Sequence, residues 1–141
     1  IYSTVLASLA DSRLPAIDQN TATFFNRVVI DEDYGGLALA DEGARCAEML
    51  SENPCHVMIM GNHGILVIGD TVAQAFNRMY YFERAAETYI KALWTGQPLR
   101  RMSDEMAESL AAALETYYGP TYGHFTELVA VLDREEPDYR D

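Results

Sequence analysis

The chain of 141 residues has the length of one domain and is long enough to bury a core. Its formal net charge of −12 disfavours binding to nucleic acid or to an anionic membrane surface, because either partner would be repelled. With 49% hydrophobic and 23% charged residues the composition excludes a disordered tail, and no apolar run approaches the roughly 18 residues of a membrane span.

The first residue and the two cysteines bear on the completeness of the domain and on its cellular location. The sequence opens at Ile1 inside an apolar pattern, so we expect a single domain over residues 1–141 that is incomplete at its N-terminus. The spacing of Cys46 and Cys55 matches neither a disulfide framework nor a CxxC metal site. A reducing cytoplasm is therefore the expected location, with both thiols buried.

The first third of the chain predicts four elements: a helix, an extended segment, a helical turn and a short strand. In that order they cover residues 1–12, 13–17, 21–25 and 27–30. In the first helix Val5, Leu6 and Leu9 share one face. A loop is expected over 31–36 because it combines acidic residues with two glycines.

The middle of the chain predicts a helix, two strands and a second, longer helix. The first helix runs from Asp41 to about residue 52, and the strands cover 56–60 and 65–68. Thr71 and Gln74 match a capping box, after which apolar residues recur at helical spacing for some 23 residues. The hairpin across 61–64 makes at least part of the sheet antiparallel, so the pattern indicates an α/β fold.

Two more helices are expected in the C-terminal third, one from about residue 103 to 118 and one from about 123 to 134, followed by an acidic tail over 135–141.

Glu83 falls on the apolar stripe of the long helix that follows Thr71, so we expect a structural partner such as Arg78 or Arg27. Aromatic residues on more than one face of that helix predict that both its own sheet and another subunit cover it.

His63 is the residue of greatest functional interest. It stands between Asn62 and Gly64 at the bend between two apolar strands, where an ordinary hairpin turn needs no imidazole. Gly61 and Gly64 remove side chains on both sides, so a bound group can approach the ring. Histidine is the commonest ligand of catalytic metal ions, but three protein ligands are typical and no second ligand motif occurs in the sequence. For His56 and His124 we favour structural roles.

Residues 61–93 resemble the signature of the class II aldolase and adducin family, in which a strand is followed by an Asn-His-Gly turn, a second strand and a long helix. In this chain the stretch reads GNHGILVIGDTVAQAFNRMYYFERAAETYIKAL. YSTVLASLADSRLPAID near the start and GQPLRRMSDEM after the helix extend the match. The resemblance implies a three-layer α/β/α sandwich with a largely antiparallel central sheet, and assembly as a homotetramer. It also implies Zn²⁺ or another divalent ion, held by an upstream His-x-His pair and by a third histidine that falls on His63.

The resemblance leaves two functions open. The first is a divalent-metal-dependent aldolase-type carbon–carbon lyase acting on a small hydroxy-carbonyl, sugar-like substrate. The second is a non-catalytic adducin-like module for assembly or binding. Sugar-phosphate aldolases place a proton-donating tyrosine where this chain has Asp18 and Gln19, and a glutamine cannot deliver a proton as a phenol can. Tyr2 and Tyr34 are possible substitutes, although packing is the favoured role of both, and the catalytic residues stay unassigned.

Overall fold

The computed structural model describes residues 1–35, 40–51, 55–117 and 121–140. Within these ranges it contains helices on both faces of one small sheet. In chain order the elements are α1 (Tyr2–Ala7), α2 (Gln19–Ala22), β1 (Val28–Asp31), α3 (Ala40–Ser51), β2 (Val57–Met60), β3 (Gly64–Val67), α4 (Val72–Trp94), α5 (Asp104–Tyr117), α6 (Thr121–Glu135) and a 3₁₀ turn (Pro137–Arg140). The helix ends expected at residues 52–54 and 118–120 lie outside the described residues.

The sheet has three strands in the order β1-β2-β3. β2 and β3 are antiparallel, with Met60 opposite Gly64, which confirms the predicted hairpin. β1 runs parallel to β2, with Val28 opposite Val57, so the described sheet is mixed and the expectation of a largely antiparallel sheet is wrong. The physical reason is the connection: α3 carries the chain from the end of β1 back to the start of β2, and such a crossover produces parallel neighbours.

The two faces of β2 pack against different helices. Val57 and Ile59 lie in the main core with residues of α1 and α4, including the fully buried Phe82. Met58 and Met60 point to the other face and contact residues of α3. Because all four residues of β2 are buried, this strand has helices on both sides and forms the centre of the described structure.

α1 is shorter than the predicted helix over residues 1–12, and Leu6 is its buried anchor. Val5 and Leu9, expected on the same buried face, remain 40% and 36% exposed. After α1, residues 12–17 lie in no helix or strand, which agrees with the predicted break in the helix. A helix that ends this early brings its last carbonyl, that of Ala7, within reach of the turn between β2 and β3.

Glu83 of α4 holds the start of α1. Its carboxylate accepts hydrogen bonds from the backbone nitrogens of Ile1 and Tyr2 at 2.5 Å and of Ser3 at 3.0 Å. The predicted arginine partner is therefore wrong: Arg78 donates instead to the Ile68 carbonyl. The reason is that helical spacing shows which face Glu83 occupies, but not which helix terminus that face meets.

Arg27 joins the start of β1 to α5. Its side chain, only 8% exposed, donates to Glu108 at 2.5 Å, to Glu115 at 3.1 Å and to the Phe25 carbonyl at 2.9 Å. His56 Nε2 lies 3.1 Å from Glu115 Oε1 and so belongs to the same network, in line with the structural role favoured for it.

No helix within the described ranges is long and apolar enough to cross a membrane.

Candidate functional site

The turn from β2 to β3 is fixed by three backbone hydrogen bonds. The Gly61 N–H donates to the Asp31 carbonyl at 2.8 Å, the Asn62 N–H to the Ala7 carbonyl at 2.9 Å and the His63 N–H to the Met60 carbonyl at 3.0 Å. The turn is thus connected to β1, to α1 and to its own strand. Any group carried by residues 61–63 is held by three separate elements.

The residue types of the turn follow from its backbone. Asn62 has φ 58°, a left-handed conformation that asparagine tolerates better than most residues. A Cβ at Gly61 would lie 3.2 Å from the Asp31 carbonyl oxygen and 3.3 Å from that of Glu32. Gly61 therefore permits the turn to approach the end of β1 closely. That contact, which the sequence did not reveal, adds to the predicted role of the glycines in clearing space around the imidazole.

The His63 side chain is exposed at the end of the sheet. Its ring centroid lies 4.8 Å from that of Tyr34, with the two planes tilted by 39°. Neither ring nitrogen of His63 has a hydrogen bond to a residue in the described ranges, so both are available to a ligand. Tyr34 belongs to the loop after β1, and no periodicity in the sequence signals that this loop passes beside the turn.

A cluster of possible metal-ligating groups lies elsewhere, at the end of β1 and on α3. Ligand atoms of Asp31, Glu42 and Cys46 all lie within 4.8 Å of one another. Arg45 already binds both carboxylates, and its Nη1 donates to Asp31 Oδ1 at 3.0 Å. The hydrogen bonds that Arg45 donates to the carboxylates of Glu42 and Asp31 raise the pKa of Arg45 further above its ordinary value. The guanidinium therefore supplies the positive charge that these carboxylates would otherwise take from a metal ion.

The other two histidines are engaged in packing or in ion pairs. Burial, together with the charge of Arg78, lowers the pKa of His56, although the Glu115 carboxylate opposes this shift. The His124 ring lies 4.8 Å from the Tyr80 ring and 5.7 Å from the Phe76 ring. Its Nδ1 is buried without a hydrogen-bond partner in the described residues. These surroundings fit the structural roles favoured for both.

Two cavities lie near the turn. One, of about 360 Å³, lies between the end of α1 and residues 61–62. The other is an apolar groove of about 420 Å³ between α3 and the sheet, with Tyr34 in its wall. Both volumes fall within the range of small-molecule sites. Gly61 and Asn62 of the turn line the first cavity, whereas the second is connected to the turn through Tyr34, whose ring packs beside His63.

The chain matches a family model. The model of the "Class II Aldolase and Adducin N-terminal domain" covers residues 1–90, which include α1, the sheet, the His63 turn and most of α4. The "Putative aldolase class 2 protein" of Caulobacter vibrioides is 30% identical over 115 residues, or 77% of this chain and 43% of its own length.

Two solved structures are similar in fold as well as in sequence. An aldolase II superfamily protein from Pseudomonas syringae has a TM-score of 0.85 and 26% identity, over 99% of this chain and 56% of the other. An L-fuculose 1-phosphate aldolase has a TM-score of 0.66 and 27% identity, over 81% of this chain and 51% of the other. The chain thus spans about half the length of each of these three relatives.

Proposed function

The chain belongs to the class II aldolase and adducin family, and we propose that the intact protein is a divalent-metal-dependent carbon–carbon lyase acting on a small hydroxy-carbonyl substrate. His63 is the proposed metal ligand in this chain. The proposal rests on one observation. Three backbone hydrogen bonds hold the turn, while the imidazole that it carries has no hydrogen bond to a residue in the described ranges. Such rigidity suits a ligand that must hold its position within about 0.5 Å.

The donor chemistry of the turn fits one ligand of a divalent metal site. A neutral imidazole with no competing hydrogen bond is a good ligand for Zn²⁺ and for similar ions. A single imidazole does not hold zinc firmly, so further ligands must come from outside the described residues. When bound, a divalent ion supplies Lewis-acid polarisation of the substrate carbonyl.

The chain's own residues contribute position and shape. The hydrogen bond from Asn62 to Ala7 fixes the imidazole relative to α1, and the contact of Gly61 with β1 fixes it relative to the sheet. Tyr34 packs beside the ring and limits its rotation. These contacts hold the backbone that carries the imidazole in place before any ligand arrives, which reduces the ordering cost of binding.

A homotetramer in the cytoplasm is part of the same proposal. Large apolar side chains remain exposed on α4, among them Val72 at 75% and Trp94 at 71%. Such residues are common at subunit interfaces. Sedimentation of the intact protein tests the assembly: a tetramer supports the proposal, and a monomer at micromolar concentration contradicts it.

The catalytic proposal is tested by retro-aldol cleavage of a panel of hydroxy-carbonyl compounds by the intact protein. Activity should disappear after chelation, return with Zn²⁺, Co²⁺ or Mn²⁺, and be absent from His63→Ala. His124→Phe is the matched control, because it removes a histidine but keeps an aromatic ring against Phe76 and Tyr80. Cleavage that survives in His63→Ala would overturn the role of His63. Absence of cleavage across the panel, with the fold intact, would favour the adducin-like module.

A further inference from the structure

The cavity of about 360 Å³ beside the turn has a mixed lining. Ala7, Leu9, Ala10 and Ile30 give it an apolar wall, to which Gly61 adds bare backbone. The wall is joined to the turn by the hydrogen bond from the Asn62 N–H to Ala7. The cavity is therefore part of the same rigid unit as the candidate metal ligand.

The polar side chains of the cavity differ in whether the protein already uses them. The Ser8 hydroxyl donates to the Thr4 carbonyl at 2.8 Å, and the Ser12 hydroxyl donates to the Leu9 carbonyl at 3.1 Å. By contrast, the Glu32 carboxylate and the Asn62 side-chain amide make no hydrogen bond to any residue in the described ranges. Two groups with unused hydrogen-bonding capacity thus line one cavity.

The charge of Glu32 is not cancelled by a bound cation in the described structure. Arg13 is within electrostatic range of Glu32. Its guanidinium, however, is committed to Asp11, to which it donates at 2.8 Å and 2.6 Å. An anionic group entering the cavity would meet the negative charge of Glu32 without a free cation beside it.

We propose that this cavity is a subsite for an uncharged, hydroxyl-bearing part of a ligand, with Glu32 accepting hydrogen bonds from its hydroxyl groups and Asn62 both donating and accepting. The apolar wall would contact the carbon chain of the ligand. Polyols present this combination of vicinal hydroxyl groups on a C–H surface, whereas phosphates and carboxylates are disfavoured by Glu32.

The identity of residue 62 supports this assignment. Glycine would satisfy φ 58° with less strain, so the turn alone does not require asparagine. Asparagine meets the backbone requirement and also brings an amide to the cavity. The inference deepens the proposed function, on which it rests, by placing the hydroxylated end of the substrate on the α1 side of the turn.

The test is equilibrium binding of two probes of equal length, threitol and threonate, which differ in having a terminal hydroxyl or a carboxylate. Binding is followed by the NMR signal of the Gly61 backbone amide, which lines the cavity and is present in every variant, in the intact, metal-free protein. Wild type should bind threitol about tenfold more tightly than threonate, the size expected for gaining rather than losing a charge-assisted hydrogen bond.

Three variants locate the effect. Glu32→Gln should weaken threitol binding about threefold or more and abolish the preference over threonate, since a neutral amide replaces the charge. Asn62→Gly should weaken threitol binding while the left-handed turn is kept. Glu48→Gln makes the same change of charge on the exposed surface of α3 and should alter neither affinity.

Equal or tighter binding of threonate by wild type would overturn the inference, as would threitol binding that neither cavity variant changes. Failure of this inference can be distinguished from failure of the proposed function, because the binding assay involves neither a metal ion nor catalysis. Threitol binding without His63-dependent cleavage would contradict only the lyase. Cleavage without threitol binding at Asn62 would contradict only the subsite.

Discussion

Replacing Gly61 by alanine is expected to loosen the turn that carries His63. The added Cβ would lie 3.2 Å and 3.3 Å from the carbonyl oxygens of Asp31 and Glu32, both of them backbone atoms. The Asp31 carbonyl also accepts the Gly61 N–H at 2.8 Å, so relief of the contact stretches this bond. Overpacking of this kind costs about 1–2 kcal/mol. Urea unfolding should show a lower midpoint with an unchanged slope.

Gly43→Ala is the matched control for this substitution. Gly43 lies in α3 with nothing within 4 Å of the added Cβ, so alanine there should stabilise the helix by about 0.5–1 kcal/mol. The two variants add the same methyl group and should shift the midpoint in opposite directions. If Gly61→Ala proves as stable as Gly43→Ala, the close approach of the turn to β1 is refuted.

Three further substitutions test separate contacts. Although burial opposes ionisation, hydrogen bonds from the backbone nitrogens at the start of α1, among them those of Tyr2 and Ser3, hold the pKa of Glu83 below its ordinary 4.5. Because a lowered carboxyl pKa stabilises the fold above the ordinary value and loses that effect as the pH falls, Glu83→Gln should cost about 1–2 kcal/mol at pH 7 and progressively less as the pH falls below 4.5, measured by urea melts across pH. Arg27→Met should lower the free energy of unfolding by about 2 kcal/mol in the same assay, because the guanidinium is buried between Glu108 and Glu115. A loss below about 0.5 kcal/mol would show that these two ion pairs contribute little to the packing of α5. Gly96→Ala should cost about 1 kcal/mol, because φ is +66° there although space is free; an unchanged melting temperature would refute that backbone conformation.

The sequence was sufficient for elements that local patterns encode. Thr71 caps α4 by accepting from the Gln74 N–H at 3.1 Å, as the motif predicts. The Gln74 side chain, however, accepts from the Asp70 N–H instead of the cap residue's own, so the box is displaced by one residue. The predicted hairpin was also confirmed, because two short apolar strands joined by a tight turn that contains Gly and Asn pair as antiparallel neighbours.

Contacts between segments that are distant in the sequence could not be predicted from it. The parallel pairing of β1 with β2 depends on the path of α3, and a run of apolar residues fits either strand direction. The position of Tyr34 beside His63 depends in turn on that pairing, since parallel strands make the loop after β1 begin at the same edge of the sheet as the turn. Likewise, helical spacing placed Glu83 on a partly buried face but gave no sign that α1 begins there.

The central claim, that His63 is a metal ligand, is tested most directly by the metal content of the intact protein. Elemental analysis after equilibrium dialysis against Zn²⁺ should give about one ion per chain for wild type and for His124→Phe, and much less for His63→Ala. Circular dichroism confirms that each variant keeps its helices. Equal metal content in His63→Ala and wild type would contradict the claim, as would the absence of bound metal from wild type.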